Sequence, residues 1–517
     1  MAKQTFLQGA LILIIAGMIT RFLGFINRIV MARLMGEEGI GLYMMALPTF
    51  FLIMTLTQLG LPIAISKRVA EADAVGDQAK IKKILVVSLS LTAMLSILFT
   101  TLLILAAPII AKTLLTDERT LLPLLAISPV VPIIAVSGVL RGYFQGKQNM
   151  KPQSISQVIE QIVRITCVAL FIKMLLPYGV EFAAAGAMFS VILGEFISLL
   201  YMVSQFKRRK RINIRTKFFA YLKSSRKTLS ELFSIALPST ASRMIGSVSN
   251  FLEPILVAQS LAIAGIGTTA ATKQYGELTG YVLPLLFLPT FITHSLAIAL
   301  VPNIAEADAK RNERLIHYRI HQSIRISFAS GALATIILIL FANQILTYMY
   351  GTANASTLIL FMAPFYMFMY IQSPLQAALQ ALDLAKSAMW NGLIGSIVKF
   401  IILFLLASSP AFGIHGVAIA MAIAVVLITL LHLAALKREI NFYIPVPDIA
   451  KMVILLVCTW VVGSLLKQIY TRMEPNVILF LIMIGSLSFI YILFLFAFRF
   501  LTKEELKQIP IIQRWIS

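Results

Sequence analysis

Charge is scarce in this chain, and acid is scarcer than base. Only 13 % of the 517 residues are charged, where a soluble domain carries about 25 %, and 22 acidic residues stand against 44 basic ones. No polar stretch is long enough to build a separate soluble domain, and 59 % of all positions are hydrophobic. Cysteine is almost missing. Cys167 and Cys458 both fall inside apolar runs, which excludes a disulfide framework and zinc-type ligand spacing. His294, His415 and His432 are scattered without metal-ligand spacing. Also missing are a Walker A glycine loop, H-E-x-x-H, G-x-S-x-G and a paired-aspartate cluster to hold Mg²⁺ against a prenyl diphosphate. The chain therefore reads as a polytopic membrane protein that is not an enzyme, with no cofactor and no metal.

What is present is a series of apolar windows of about 20 residues, the length that crosses a bilayer as helix. The windows lie near 8–32, 43–66, 84–107, 122–146, 157–177 and 182–205, then near 229–260, 278–302, 322–344, 358–381, 388–408 and 413–436. Two more occupy about 448–468 and 477–500, which makes about 14 transmembrane helices. Pro284 and Pro289 mark the eighth window as a candidate broken helix. The first window follows no basic n-region, precedes no A-x-A site and is too long for a signal peptide, so it reads as an uncleaved span.

Basic residues sort by side. The loops on one side hold Lys67, Arg68, Lys80, Lys82, Lys83, Lys147, Lys151, Lys310, Arg311, Arg314, Arg319, Lys386, Lys437, Arg438 and the cluster at 206–228, and the tail adds Lys503, Lys507 and Arg514. The other side holds Arg33, Lys112, Arg119, Lys273, Lys467 and Arg472. The positive-inside rule then places both termini in the cytoplasm. Most of the formal charge of +22 is topogenic on this reading, with anionic lipid headgroups and not nucleic acid beside the basic loop.

The sequence also repeats itself. Val69-Ala70-Glu71-Ala72-Asp73-Ala74 after the second window returns as Ile304-Ala305-Glu306-Ala307-Asp308-Ala309 after the eighth, and Thr20-Arg21-Phe22-Leu23-Gly24 returns as Ser242-Arg243-Met244-Ile245-Gly246. Arg164 falls over Lys399 and Arg28 over Asn250 in the same register. Six windows separate each pair, so the halves keep the same orientation, a transporter architecture of parallel repeats. The expected organisation is an N-terminal lobe at 1–205, the basic loop at 206–228, a C-terminal lobe at 229–440, and two further helices with a tail at 441–517.

Cations inside spans are the candidate site. A charge at mid-bilayer costs about 2.5–3.5 kcal/mol on insertion scales, so Arg21 and Arg28 should face a bundle interior or a wet cavity. They stand seven residues apart on one helix face, with Gly17 and Gly24 beside them. The fifth window carries Gln153, Gln157, Glu160, Gln161 and Arg164 on a single face, with Glu160 four residues before Arg164 in the favoured ion-pair order. Arg243, Lys399, Asn27, Asn250 and Glu253 complete the set of expected cavity residues. Positive charge beyond the buried acids needs water or an anion; Glu195 and Glu253 offer partial neutralisation.

The motifs Met1-Ala2-Lys3-Gln4-Thr5-Phe6-Leu7, Thr20-Arg21-Phe22-Leu23-Gly24-Phe25, Gly36-Glu37-Glu38-Gly39, Gly41-Leu42-Tyr43-Met44-Met45 and Leu140-Arg141-Gly142-Tyr143-Phe144-Gln145-Gly146-Lys147-Gln148-Asn149-Met150 resemble the polysaccharide branch of the multidrug/oligosaccharidyl-lipid/polysaccharide exporter superfamily. Lipid II flippases are the mechanistic relatives. Their first-span Ser-Arg-x-x-Gly-Phe-x-Arg-Asp pattern is similar to residues 20–28, so Arg21 matches their first cavity arginine. Their second arginine falls on Asn27, their aspartate on Arg28, and a further second-span arginine near Leu52. The resemblance implies an alternating-access flippase for an undecaprenyl-diphosphate-linked peptidoglycan precursor, serving spore cortex at the outer forespore membrane of a sporulating bacterium. It also implies a prenyl-tail groove on the last two helices. Expected partners are the lipid-linked saccharide diphosphate, membrane lipids and cell-wall synthesis enzymes. Two alternatives are a cation-coupled drug antiporter, which needs a net acidic cavity from Glu253, Glu160 or Glu195, and a non-transporting scaffold for cell-wall enzymes.

Overall fold

The computed structural model describes residues 6–208, 221, 225–498 and 500. Most of the basic 206–228 loop and the tail from residue 501, with Lys503, Lys507 and Arg514, lie outside the described residues. Within them the chain is all helix: α1 (Phe6–Gln58), α2 (Leu61–Ala74), α3 (Gln78–Ile109), α4 (Leu121–Ile127), α5 (Val130–Gly146), α6 (Lys151–Leu175) and α7 (Val180–Arg208). There follow α8 (Arg226–Ile263), α9 (Thr268–Gly276), α10 (Leu283–Phe287), α11 (Thr290–Ala309), α12 (Glu313–Leu340) and α13 (Ala342–Tyr350). The last five are α14 (Ser356–Ala381), α15 (Ala385–Ala407), α16 (Ile414–Ile440), α17 (Val446–Arg472) and α18 (Val477–Ala497).

Every expected window falls on helix. Among the described residues ten helices are long and apolar enough to cross a membrane, or eleven if one bent pair counts as a span. Fourteen is compatible with that number, because the stretch Ile15–Ala74 holds two of the expected windows and α6 and α8 hold two more. The sequence separates the first two windows by a loop, yet helix runs through it. The exception is Gly36, at φ 68° and ψ −172°, a backbone region that costs a residue with a side chain far more than glycine. The expected break in the eighth window is real: Thr268–Phe287 and Thr290–Ala309 meet at 52° across Leu288 and Pro289. Helix starts carry polar caps, with Asp77, Asn312 and Asn476 accepting from the backbone N–H of Lys80, Leu315 and Leu479.

The chain packs as two compact units. Residues 1–280 and 407–414 form the first, and 281–406 with 415–517 the second. In the first, Leu61, Ile65, Ile81, Tyr143 and Phe144 form a core in which α2 and α5 sit close. A Cβ on Gly142 would lie 2.7 Å from the Pro62 carbonyl oxygen, so only glycine allows that approach. The second unit has a core around Ile304, Ile320, Leu375, Leu436 and Phe442, and a smaller one where Leu455 and Tyr491 meet α12. The apolar windows of α3, α15 and α17 are only 17 % buried, which fits them for lipid contact, against 61 % for α7.

Candidate functional site

The polar face of α6 points into the first unit. Gln153 and Glu160 are buried while Ile155 and Ile162 on the opposite face are exposed, so the periodicity separates a polar buried face from an apolar exposed one. Arg164 donates from Nη2 to Glu160 one turn back. The sequence missed the other half of this arrangement. Arg141 on α5 donates from Nη2 to both oxygens of Glu195 on α7, at 3.1 and 3.4 Å, and stands 3.6 Å from Glu160. Two guanidiniums thus balance two carboxylates. The helices come close enough because position 194 on α7 is glycine, whose Cβ would lie 2.9 Å from the Glu160 carbonyl oxygen. At the end of the stripe Gln145 donates to Gln153 at 2.9 Å. Gln157 lies half-buried between these contacts.

Arg28 and Arg164 both act electrostatically on buried Tyr43, which brings the first-window and fifth-window cations to one neighbourhood. Asn27 is buried; its Nδ2 donates to Met31 Sδ at 3.3 Å and its Oδ1 has no hydrogen-bond partner among the described residues. Arg21 and Arg243 are exposed on the protein surface and form no ion pair with any described residue. No described acid pairs with either charge, unlike that of Arg164.

Arg243 and Asn250 open onto a pocket of about 370 Å³ together with Met54, Thr55, Gln58, Gly60, Gly246 and Ser247. Thr55 and Ser247 tie its walls through a 2.8 Å hydroxyl–hydroxyl bond. One arginine, two amides and two hydroxyls, with no acid among them, make a lining that suits an oxyanion. Ser247 was within reach of the sequence, since it stands four residues after Arg243 on the same helical face. Thr55 and Gln58 sit three apart on the second window, a spacing that also marks one face. Glu253 lies one turn beyond Asn250 and acts on Tyr275. Lys399 belongs to the second unit, its ammonium 4.8 Å from the Phe400 ring centroid.

A second polar cluster joins α1 to α9. Glu37 pairs with Lys273 at 2.9 Å, Arg119 pairs with Glu38, and Arg119 grips Asp117 at 3.0 and 2.8 Å. Thr272 donates to Asp117 at 2.7 Å. Burial would raise the Asp117 carboxyl, but hydrogen bonds from Arg119 and Thr272 and the Arg119 charge hold it below the usual carboxylate range, so the pair stays ionised at neutral pH. The backbones touch here: a Cβ on Gly41 would fall 2.1 Å from the Thr272 carbonyl oxygen, and one on Gly276 2.1 Å from that of Glu37.

Comparison with known proteins agrees with this architecture. The family described as polysaccharide biosynthesis protein matches residues 6–308, and the MatE family matches residues 278–405. Stage V sporulation protein B of Bacillus subtilis (strain 168) is 52 % identical over 516 residues, covering 100 % of both chains. A structure of lipid II flippase MurJ in an inward closed conformation superposes with a TM-score of 0.69 at 16 % identity, over 94 % of this chain and 98 % of that one. An inward-facing multidrug resistance MATE family transporter of the MOP superfamily gives a TM-score of 0.67 at 17 % identity, over 82 % and 94 %. By sequence the chain belongs to the polysaccharide biosynthesis protein family, and its fold is that of the MOP-superfamily transporters.

Proposed function

We propose that this multi-pass membrane transporter flips an undecaprenyl-diphosphate-linked peptidoglycan precursor, similar to lipid II, for spore cortex synthesis. The observation that carries the reading is the acid-free pocket of about 370 Å³ beside Arg243 and Asn250. A diphosphate is a delocalised dianion that accepts paired N–H donors, and guanidinium is the side chain shaped for it. Arg21 stands at the equivalent position of the first repeat and likewise has no counter-ion among the described residues. Arg28, Asn27, Gln157, Glu160, Arg164 and Glu253 are assigned to the same transport path, with the balanced Arg141–Glu195–Glu160–Arg164 group fixing its wall, and Lys399 is proposed as a substrate-binding cation of the second unit.

The precursor's identity is supported by the 52 % identical sporulation protein and by the fold shared with a lipid II flippase. The antiporter alternative needs surplus acid in the cavity, and Glu160 and Glu195 are already matched by two arginines. Rocking of the two repeats supplies alternating access. The 206–228 loop and both termini face the mother-cell cytoplasm, with the chain in the outer forespore membrane.

The test is lipid II accessibility in vegetative cells depleted of their own flippases, where the protein, when produced, sits in the plasma membrane. Cells lacking the protein should hold the precursor on the synthesising side, and overproduction should restore its exposure to an externally added lipid II-cleaving enzyme. Equal exposure with and without the protein would contradict the reading and favour a scaffold.

A further inference from the structure

A separate cavity of about 80 Å³ lies in the second unit, where α12 and α17 begin and α18 ends. A volume of about 10–15 Å³ on this measure admits one water, so the cavity has room for a phosphate-sized group. Three expected spans, 322–344, 448–468 and 477–500, reach their boundary there on the same side, which puts the cavity at headgroup depth. Arg325, Lys451 and Asp448 supply its charges, with Tyr318, Gln322 and His321 beside them. Its apolar wall includes Met452 and Phe498.

The cavity is built and not a gap between loose ends. The Ile440 carbonyl oxygen lies 2.8 Å from His317 Nε2, and the His321 ring packs on Phe442 with centroids 4.6 Å apart, so the segment before α17 is fixed against α12. Lys451 and Asp448 stand 3.8 Å apart, within ion-pair range but too far for a hydrogen bond, and each is about half exposed. Both heads therefore keep donor and acceptor capacity for a third group. An arginine, a lysine and one carboxylate lining the same cavity match a ligand that carries an anion and, close to it, a hydrogen-bond donor.

We propose that this cavity binds a glycerophospholipid headgroup, its phosphodiester on Arg325 and Lys451 and its terminal donor on Asp448. Basic pockets between membrane helices at headgroup level take phosphate-bearing lipids, and the apolar wall receives the start of the acyl chains. The terminal donor is a glycerol hydroxyl in phosphatidylglycerol or an ammonium in phosphatidylethanolamine. Phosphatidylcholine has the phosphodiester without a donor. The site is distinct from the Arg243 pocket and does not depend on which substrate that pocket carries.

Purified full-length protein, delipidated and titrated with each of the three lipids, is read by native mass spectrometry and by the rise in Tm. Phosphatidylglycerol or phosphatidylethanolamine should remain as one retained molecule, bound about tenfold more tightly than phosphatidylcholine. Lys451→Gln, at an exposed position that leaves the fold alone, should weaken retention about tenfold, and Asp448→Asn should remove the preference over phosphatidylcholine. Equal retention by wild type and Lys451→Gln overturns the proposal, as does wild-type protein that retains all three lipids equally. Displacement by inorganic phosphate alone would make it a free-phosphate site, and displacement by undecaprenyl diphosphate at lower concentration would make it part of the substrate path. Either result also overturns the phospholipid assignment.

Discussion

At the scale of single residues, the contrast is between arginines paired with a described acid and arginines with none among the described residues. Arg21 and Arg243 belong to the second kind, and Arg21 meets the flippase motif as well. Replacing Arg21 by alanine should remove one charge-assisted contact, about 1.5–3 kcal/mol, and weaken substrate capture roughly ten- to a hundredfold. Lysine should rescue in part, because it keeps the charge and loses the fork. Membrane abundance with cortex formation for the two variants checks this. Arg141 should behave in the opposite way. Arg141→Gln leaves Glu160 and Glu195 with a single cation between them, and breaking such a buried pair costs about 3–5 kcal/mol. Thermal unfolding in detergent should show that loss, and Arg141→Gln with Glu195→Gln should recover most of it. Additive losses would mean that the two do not interact. The Glu160–Arg164 pair was legible because both partners lie on one helix four residues apart. Arg141 and Glu195 were not, since their contact is made between α5 and α7 and no spacing within one window encodes it.

Among the elements, apolar length and punctuation made the helices readable. Pro289 announced the bend before α11, and the stripe on α6 announced which side of that helix turns inward. The continuity of α1 through residues 33–42 was hidden, because Gly36 breaks the helix at one residue only and the flanking turns resume at once. The joint between α1 and α9 was also hidden. It depends on two glycines far apart in sequence that let backbones touch, a property with no periodic signature. It makes a sharp prediction. Gly41→Ala puts a methyl 2.1 Å from the Thr272 carbonyl oxygen, so α1 and α9 must part. Cross-linking between Glu37→Cys and Lys273→Cys, whose native side chains meet at 2.9 Å, should fall several-fold in the Gly41→Ala background. An unchanged yield would show that the joint absorbs the methyl without moving.

For the whole molecule, membrane orientation sets the direction of the transport path. The proposed orientation, drawn from the basic residues on one side, has the 206–228 loop in the cytoplasm. With the protein produced in the plasma membrane of vegetative cells, a cysteine introduced at Lys210 should resist a membrane-impermeant maleimide in intact protoplasts and react after lysis. Labelling from outside would reverse the orientation. The repeat was visible as two copies of an Arg-x-x-Gly motif in order, yet the pocket beside Arg243 was not, because its other wall comes from Thr55 and Gln58 on a different window. The central claim is that a lipid-linked diphosphate crosses the membrane by way of Arg21 and Arg243. Its most direct measurement is lipid II translocation in proteoliposomes containing the purified protein, with Arg21→Ala and Arg243→Ala alongside. The account predicts translocation well above that of empty liposomes, falling roughly tenfold or more in each variant. Wild-type vesicles that match empty liposomes, or alanine variants as fast as wild type, would contradict it.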